Sequence, residues 1–186
     1  MNMKKILLIV AASMICTAAF AQKFAHVNFS ELVQLMPEAD KARATLQASS
    51  KEAQDTYQSM MEEFNNKYTQ YQQKSSTWTA ATRESKEKEL TEIQQRIQEF
   101  SQSVQQELSQ QEQQLMAPIY QKAQETVNSI AKKGGYTYVF DKSTPLYIDE
   151  AQSKDITKEA RKALNIPDSR TLESLQKELQ AAAQAE

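Results

Sequence analysis

The sequence predicts a mainly α fold with a small β body, in which a long antiparallel helical hairpin is inserted into a short-stranded β base. Between Ser30 and Lys133 there is no glycine, and Pro37 and Pro118 are the only prolines, so helix-breaking residues are almost absent. Two apolar stripes with helical spacing occupy this stretch. Strand-like segments lie before and after it, which indicates a base from which the hairpin begins and to which it returns.

Residues 1–21 are typical of a secretory signal peptide. Lys4 and Lys5 precede an apolar run from Ile6 to Ile15, and the small-residue cleavage motif Ala19-Phe20-Ala21 follows it. The alternative of a membrane-spanning helix is disfavoured, because a bilayer needs roughly 20 apolar residues. We therefore expect export across the inner membrane into the bacterial periplasm, with cleavage after Ala21.

Cleavage at this point leaves a mature chain without cysteine. Cys16 is the only cysteine, and the large Ile15 before it disfavours a lipoprotein anchor at that position. Neither a disulfide nor a thiolate metal site is then available. Because Lys4 and Lys5 are removed, 20 basic and 24 acidic residues remain, and the net charge of −4 does not fit a nucleic-acid binder.

Two helices are predicted from apolar and small residues that recur at steps of three and four. The first stripe consists of Leu32, Leu35, Ala39, Ala42, Leu46, Ser49, Ala53, Tyr57, Met60, Phe64, Tyr68 and Tyr71. The second consists of Leu90, Ile93, Ile97, Phe100, Val104, Leu108, Gln111, Leu115, Ile119, Ala123, Val127 and Ile130. Its 11 steps cover 40 residues, or 3.64 residues per step, which favours helices that pack with little left-handed supercoil.

The polar segment 75–82 separates the two stripes and is predicted to form the tip of the hairpin, with Thr82 as the N-cap of the second helix. Arms of near-equal length on either side favour an antiparallel pair. Pro118 lies inside the second arm, where it removes one backbone hydrogen bond and is expected to act as a hinge. This arm is expected to end at Lys132–Gly135, where two cations precede glycines that can form a left-handed cap.

The hairpin of residues 31–133 is expected to interrupt a discontinuous base of residues 22–30 and 134–165. Residues 166–186 then form a C-terminal tail, which contains a weak stripe of Leu172, Leu175 and Leu179. This pattern is compatible with a helix or with disorder.

The base is expected to contain three strands and one short helix. These are Phe24 to Phe29, Tyr136 to Phe140, Leu146 to Ile148 and the helix from about Asp155 to Leu164. Strands this short and few bury too little apolar surface to be stable alone, so we expect copies to associate through the base. The residues expected in this trimer body are Phe24, Val27, Phe29, Tyr138, Phe140, Leu146 and Ile148.

Catalytic and cofactor chemistry is poorly represented. His26 is the only histidine, it lies in a predicted strand, and no cysteine remains to pair with it, so we expect no catalytic residue and no transition-metal site. The two glycines are adjacent, and the sequence has no glycine-rich phosphate loop. We therefore expect no enzyme activity, no cofactor and no nucleotide.

Methionine and aromatic side chains cluster toward the predicted tip. Such residues form adaptable binding surfaces, but they also pack helices together. Positions on the stripe favour packing, whereas Met61 and Trp78 lie off it and fit either role. The candidate binding residues are Met61, Phe64, Tyr68, Tyr71 and Trp78.

The order of these features resembles the Skp (OmpH-like) family of periplasmic chaperones. The resemblance spans about Lys23 to Leu164, and its motifs are Val27-Asn28, the hairpin, Gly135-Tyr136-x-Tyr138-Val139-x-Asp141, Tyr147 and Asp155-Ile156-Thr157. It implies a homotrimer whose strands interlock in a central body, with three hairpins surrounding a cavity. It also implies that the cavity holds unfolded outer-membrane proteins soluble.

Two features differ from the strongly basic members of that family. Residues 31–133 contain 12 basic and 15 acidic residues, and a tail extends beyond Asn165. The hypothesis is an ATP-independent holdase that binds unfolded outer-membrane proteins. The alternative is a structural or adaptor coiled-coil protein of the cell envelope, and contact with membrane lipid stays open in both cases.

Overall fold

A computed structural model of the protein describes residues 22–184. The predicted signal peptide and Cys16 therefore lie outside the described residues. In chain order the elements are β1 (Phe24–Val27), α1 (Phe29–Leu35), α2 (Pro37–Lys74), a 3-10 turn (Ser75–Thr77), α3 (Ala80–Gly134), β2 (Tyr138–Asp141), β3 (Ser153–Asp155), α4 (Thr157–Ala163) and α5 (Leu172–Gln184). The mainly α fold with a small three-stranded sheet is confirmed.

The described chain divides into two compact units. One, here called the base unit, comprises the residues up to Leu35 and those from Lys122 onward. The other, the hairpin unit, runs from Met36 to Gln121 and contains α2, the turn and the first part of α3.

The two helices of the hairpin unit are antiparallel. Three side-chain contacts join them, between Glu63 and Arg96, between Lys67 and Glu89, and between Tyr71 and Glu87. Residue numbers on α2 rise toward the turn while those of their partners on α3 fall, as an antiparallel pair requires. The predicted hairpin is thereby confirmed.

The turn is shorter than the predicted polar segment. Helix α3 begins at Ala80, and the Thr79 hydroxyl oxygen accepts a hydrogen bond from the backbone N–H of Thr82 at 3.2 Å. Thr79 is therefore the N-cap, and the assignment of that role to Thr82 was wrong. Two threonines three residues apart offer the same hydroxyl chemistry, and the earlier one caps the helix.

The first arm is two helices rather than one. Helix α1 ends at Leu35, Met36 has an extended backbone, and α2 begins at Pro37. Proline lacks the N–H that would continue α1, but it fits the first turn of a new helix, where that donor has no partner in any case. The sequence stripe continues through Pro37 because Leu32 and Leu35 of α1 and Ala39 and Ala42 of α2 are all buried.

The end of α3 has the predicted glycine cap. The N–H of Tyr136 donates to the carbonyl of Ala131 at 3.0 Å, and that of Gly135 to Lys132 at 3.3 Å, which is a Schellman motif. Gly135 has φ of +65°, a conformation that side-chain-bearing residues rarely adopt.

The sheet is parallel, with strand order β2-β1-β3. The third strand is Ser153–Asp155, so the prediction of a strand at Leu146–Ile148 was wrong. That prediction followed apolar character, whereas β3 is a polar edge strand selected by backbone pairing with β1. Leu146 and Tyr147 instead lie in an irregular segment with exposed side chains.

Several boundaries in the base unit also differ from the predictions. Strand β1 stops at Val27 because Asn28 caps α1: its side-chain oxygen accepts the N–H of Glu31 at 3.2 Å. Strand β2 begins two residues later than predicted, at Tyr138. Helix α4 begins at Thr157, because Asp155 belongs to β3 and its carboxylate accepts the N–H of Thr157 at 2.8 Å.

Arg161 joins three parts of the base unit. Its buried guanidinium pairs with Glu31 of α1 at 2.6 Å and donates to the carbonyls of Pro167 and Arg170. The tail continues into α5, whose Leu175 is 6% exposed. The tail is therefore helical from Leu172 and belongs to the base unit.

We predict that Arg161→Ala lowers the free energy of unfolding by about 3–5 kcal/mol, because the Glu31 carboxylate and two carbonyl oxygens lose a buried donor. Urea unfolding followed by circular dichroism measures the change. The control is Lys158→Ala, which removes an exposed cation from the same helix. Equal effects of the two substitutions would show that the Arg161 contacts do not stabilise the fold.

Candidate functional site

The candidate binding residues lie in the hairpin unit as two aromatic pairs. The rings of Phe64 and Tyr68 stack at a centroid distance of 5.9 Å. Tyr71 and Trp78 meet edge to face, also at 5.9 Å. Tyr68 is 44% exposed, and Phe64, Tyr71, Trp78 and Met61 are half-buried. These side chains therefore contribute to packing while each keeps accessible surface, so both roles considered for them from the sequence fit their placement.

An ion-pair network joins the two helices beside these rings. Glu89 of α3 accepts hydrogen bonds from Lys67 of α2 and, at 2.8 Å, from Lys86 of its own helix. Arg96 of α3 donates to Glu63 of α2 at 3.0 Å. Glu63 lies one helical turn before Lys67 and so farther from the 3-10 turn. The hydrogen bonds from Lys67 and Lys86 lower the pKa of the Glu89 carboxyl to about 2.

The residues expected in the trimer body have unequal exposure. Val27 is buried, whereas Phe24, Phe29 and Ile148 are half-buried. The exposed members are Tyr138, Phe140 and Leu146. The structure brings three of the seven into one aromatic group: the ring of Phe24 lies 6.2 Å from that of Tyr138 and 6.4 Å from that of Phe140.

A cavity of about 490 Å³ adjoins this aromatic group, between Phe24 and Phe140 on one side and Pro145, Tyr147 and Ile148 on the other. Tyr147 is 81% exposed and was not among the predicted interface residues. Its position next to Leu146 is the sequence signal that could have indicated it. Exposed apolar surface of this kind is typical of sites that contact another protein, a ligand or a membrane.

His26 belongs to a polar group that the sequence did not indicate. Its Nδ1 lies 2.9 Å from the Ser153 hydroxyl, and its Nε2 lies 3.6 Å from the Asp155 carboxylate. Burial alone would raise the pKa of Asp155, but hydrogen bonds from Thr157 and the nearby His26 and Lys142 bring it below its ordinary value. Because His26 is only 1% exposed, we interpret this group as a connection between β1 and β3.

Residues 22–184 contain no group of three or more histidine, cysteine, aspartate or glutamate residues placed to hold a metal ion. None of the helices in this range has an apolar stretch long enough to cross a membrane.

Pro118, the predicted hinge, lies inside α3, which continues on both sides of it.

A long antiparallel helical hairpin and a small three-stranded parallel sheet in one chain define a class of mainly α proteins with a small β unit. Residues 23–164 match the family described as "Outer membrane protein (OmpH-like)". The chain belongs to this OmpH-like family, which confirms the resemblance drawn from the sequence. The match ends at Leu164, so α5 lies beyond it.

Two curated relatives carry the name "Chaperone protein Skp". The protein from Yersinia enterocolitica is 28% identical over 142 residues, which are 76% of this chain and 85% of the relative. The protein from Pectobacterium atrosepticum is 28% identical over 155 residues, which are 83% of this chain and 92% of the relative. These similarities support a chaperone role.

A solved structure of similar fold is that of a putative OmpH-like outer membrane chaperone from Caulobacter crescentus. It aligns with a TM-score of 0.69 and 16% sequence identity, covering 77% of this chain and 84% of that one. At this identity the similarity shows a common fold.

We predict that the hairpin unit loses stability in acid through Glu89. A carboxyl whose pKa falls from 4.5 to about 2 on folding stabilises the folded state fully above pH 4.5 and loses that contribution as the pH falls toward 2. The melting temperature of the unaltered protein should therefore fall more steeply than that of Glu89→Gln over this range. Thermal melting followed by circular dichroism measures this, with the exposed Glu84→Gln as control. Parallel curves for the unaltered protein and Glu89→Gln would contradict the assignment.

Proposed function

We propose that the protein is an ATP-independent periplasmic holdase, which binds unfolded outer-membrane proteins and prevents their aggregation. The chaperones named Skp among its relatives support this function. The sequence offers no glycine-rich loop for nucleotide phosphates, so release of the bound chain is proposed to follow mass action. No catalytic step and no cofactor enter the proposal.

The observation that carries the proposal is the distribution of apolar surface in the hairpin unit. Between Ile97 and Leu115 every second-stripe position is half-buried rather than buried, and the aromatic pairs beside the turn are partly accessible. Many weak contacts along such a surface hold unfolded chains of varied sequence, and their number replaces a precise pocket. Met61, Phe64, Tyr68, Tyr71 and Trp78 are the proposed client contacts.

We propose that three copies associate through residues 22–30 and 134–165. The parallel sheet has unpaired edges, and the exposed Tyr138 and Phe140 lie on the edge strand β2. An uncovered aromatic face on an open edge favours association, and burial of these rings would stabilise it. The cavity for clients would then lie among three hairpins formed by residues 31–133.

Two further parts of the proposal concern export and adaptation. Residues 1–21 are the proposed signal peptide, with cleavage after Ala21. Pro118 is the proposed hinge through which an arm adapts to clients of different size, because proline removes one helical hydrogen bond at its position.

A direct test dilutes a urea-denatured outer-membrane β-barrel protein into buffer, with and without the mature chain from Gln22. We expect suppression of light scattering at a molar excess of trimer, and a sedimentation mass of three copies. Aggregation equal to that of the client alone would contradict the holdase function. Stoichiometric capture of one folded envelope protein, without any effect on aggregation, would instead favour a structural or adaptor role.

A second prediction concerns the tip residues. The pair Tyr68→Ser and Trp78→Ser removes accessible aromatic surface and should weaken client binding by roughly tenfold, as expected for two partly buried aromatic contacts. Client affinity is measured by fluorescence anisotropy of a labelled unfolded β-barrel protein. The matched control is Tyr120→Ser, which removes a tyrosine that is 51% exposed and outside the proposed contact set. Equal affinities of the two variants would remove these residues from the proposed site.

A further inference from the structure

An open groove separates α2 from α3 in the middle of the hairpin unit. It has a volume of about 420 Å³ and is lined on the α2 side by Ser49, Ala53 and Thr56. On the α3 side it is lined by larger side chains, among them Phe100, Val104 and Leu108. A volume in this range, roughly 300–1,000 Å³, is common for ligand-binding clefts.

The groove exists because small and large side chains are unevenly divided between the two helices. Serine, alanine and threonine of α2 are too short to cover fully the larger side chains of α3 that line the same groove. Phe100, Val104 and Leu108 remain half-buried as a result. Nearer the turn the seam closes, since Ile93 is only 2% exposed and ion pairs join the helices.

The groove is acidic. Its only charged lining residues are Glu52 and Glu107, one from each helix, and both are exposed. Within residues 22–184 neither carboxylate takes part in an ion pair. The surrounding segments 46–60 and 98–115 contain five acidic residues and one basic residue, Lys51. The surface around the apolar floor is therefore negative.

We propose that this groove binds segments of unfolded clients in which apolar residues alternate with lysine or arginine. The inference rests on the proposed holdase function and adds the kind of client segment that the hairpin selects. Apolar side chains of the segment cover Phe100, Val104 and Leu108. Its cations lie beside Glu52 and Glu107, while the methylene stems of lysine or arginine add apolar contact.

Charge complementarity decides between possible occupants. An acidic segment would place its carboxylates beside Glu52 and Glu107 and be repelled, and a purely polar segment would leave the apolar floor uncovered. A basic apolar segment satisfies both parts of the groove. Because the carboxylates are exposed, the attraction should weaken as salt is added.

The test measures binding of three labelled 12-residue peptides to the full mature protein by fluorescence anisotropy. The peptides alternate leucine with arginine, leucine with glutamate, and serine with arginine. Two variants alter the groove: Ala53→Leu fills it, and Glu52→Gln with Glu107→Gln removes its charge. The matched control, Glu62→Gln with Glu84→Gln, removes two exposed carboxylates that do not line the groove. Circular dichroism checks that each variant stays helical.

The leucine–arginine peptide should bind most tightly, and its affinity should fall on the order of tenfold in both groove variants, while the control changes it less than twofold. Equal binding of the leucine–glutamate peptide, or unchanged affinity in both variants, would overturn the inference. A change in sedimentation mass of Ala53→Leu, with peptide affinity unchanged, would assign the groove to contact between copies and also overturn it.

The same variants separate this inference from the proposed function. If the unaltered protein suppresses aggregation of an unfolded β-barrel protein but both groove variants bind the basic peptide normally, the groove inference alone is wrong. If the unaltered protein fails to suppress aggregation, the holdase function itself is wrong, whatever the peptides do.

Discussion

The pairing of α2 with the first part of α3 is the interaction on which the hairpin unit depends. Both helices are long and polar, and such helices gain most of their stability from packing one apolar face. That face is thin here: Ile93 and Ile119 of α3 are buried, whereas the stripe positions between Phe100 and Leu115 are only half-buried. Cross-helix ion pairs supplement the seam where aromatic side chains stay partly accessible. Sparse packing thus leaves apolar surface accessible along the hairpin unit.

The base unit differs from the hairpin unit, because its strands and helices are short and each buries little apolar surface by itself. Its parallel sheet has three strands of three or four residues, and its helices α1 and α4 have seven residues each. Polar contacts of high sequence separation therefore carry much of its specificity: Arg161 with Glu31, and His26 with Ser153. Each contact joins a residue before the hairpin to a residue after it. These contacts can therefore form only when the segments on both sides of the hairpin come together.

The sequence predicted the helices, which follow from apolar periodicity. It did not predict boundaries and caps at which neighbouring residues offer similar local chemistry. The apolar stripes indicated both long helices and their pairing. The break at Pro37 depends on a missing backbone donor, the cap at Thr79 on a side-chain hydroxyl, and β3 on backbone pairing with β1. No apolar pattern records any of these. At the candidate site the aromatic residues were predictable from composition. The groove was not, because it arises from the relative register of two helices, which sets small residues opposite large ones.

The character of β3 limits how the sheet can grow. Its residues Ser153, Lys154 and Asp155 are polar, and the last two are exposed, so its outer edge discourages the addition of another strand. Strand β2 bears Tyr138 and Phe140 and has no such protection. In a cross-β fibril each copy pairs with a neighbour on both of its edges, so a sheet that can be extended from one side only does not propagate in this way. This asymmetry limits how far copies of the chain can associate through their sheets.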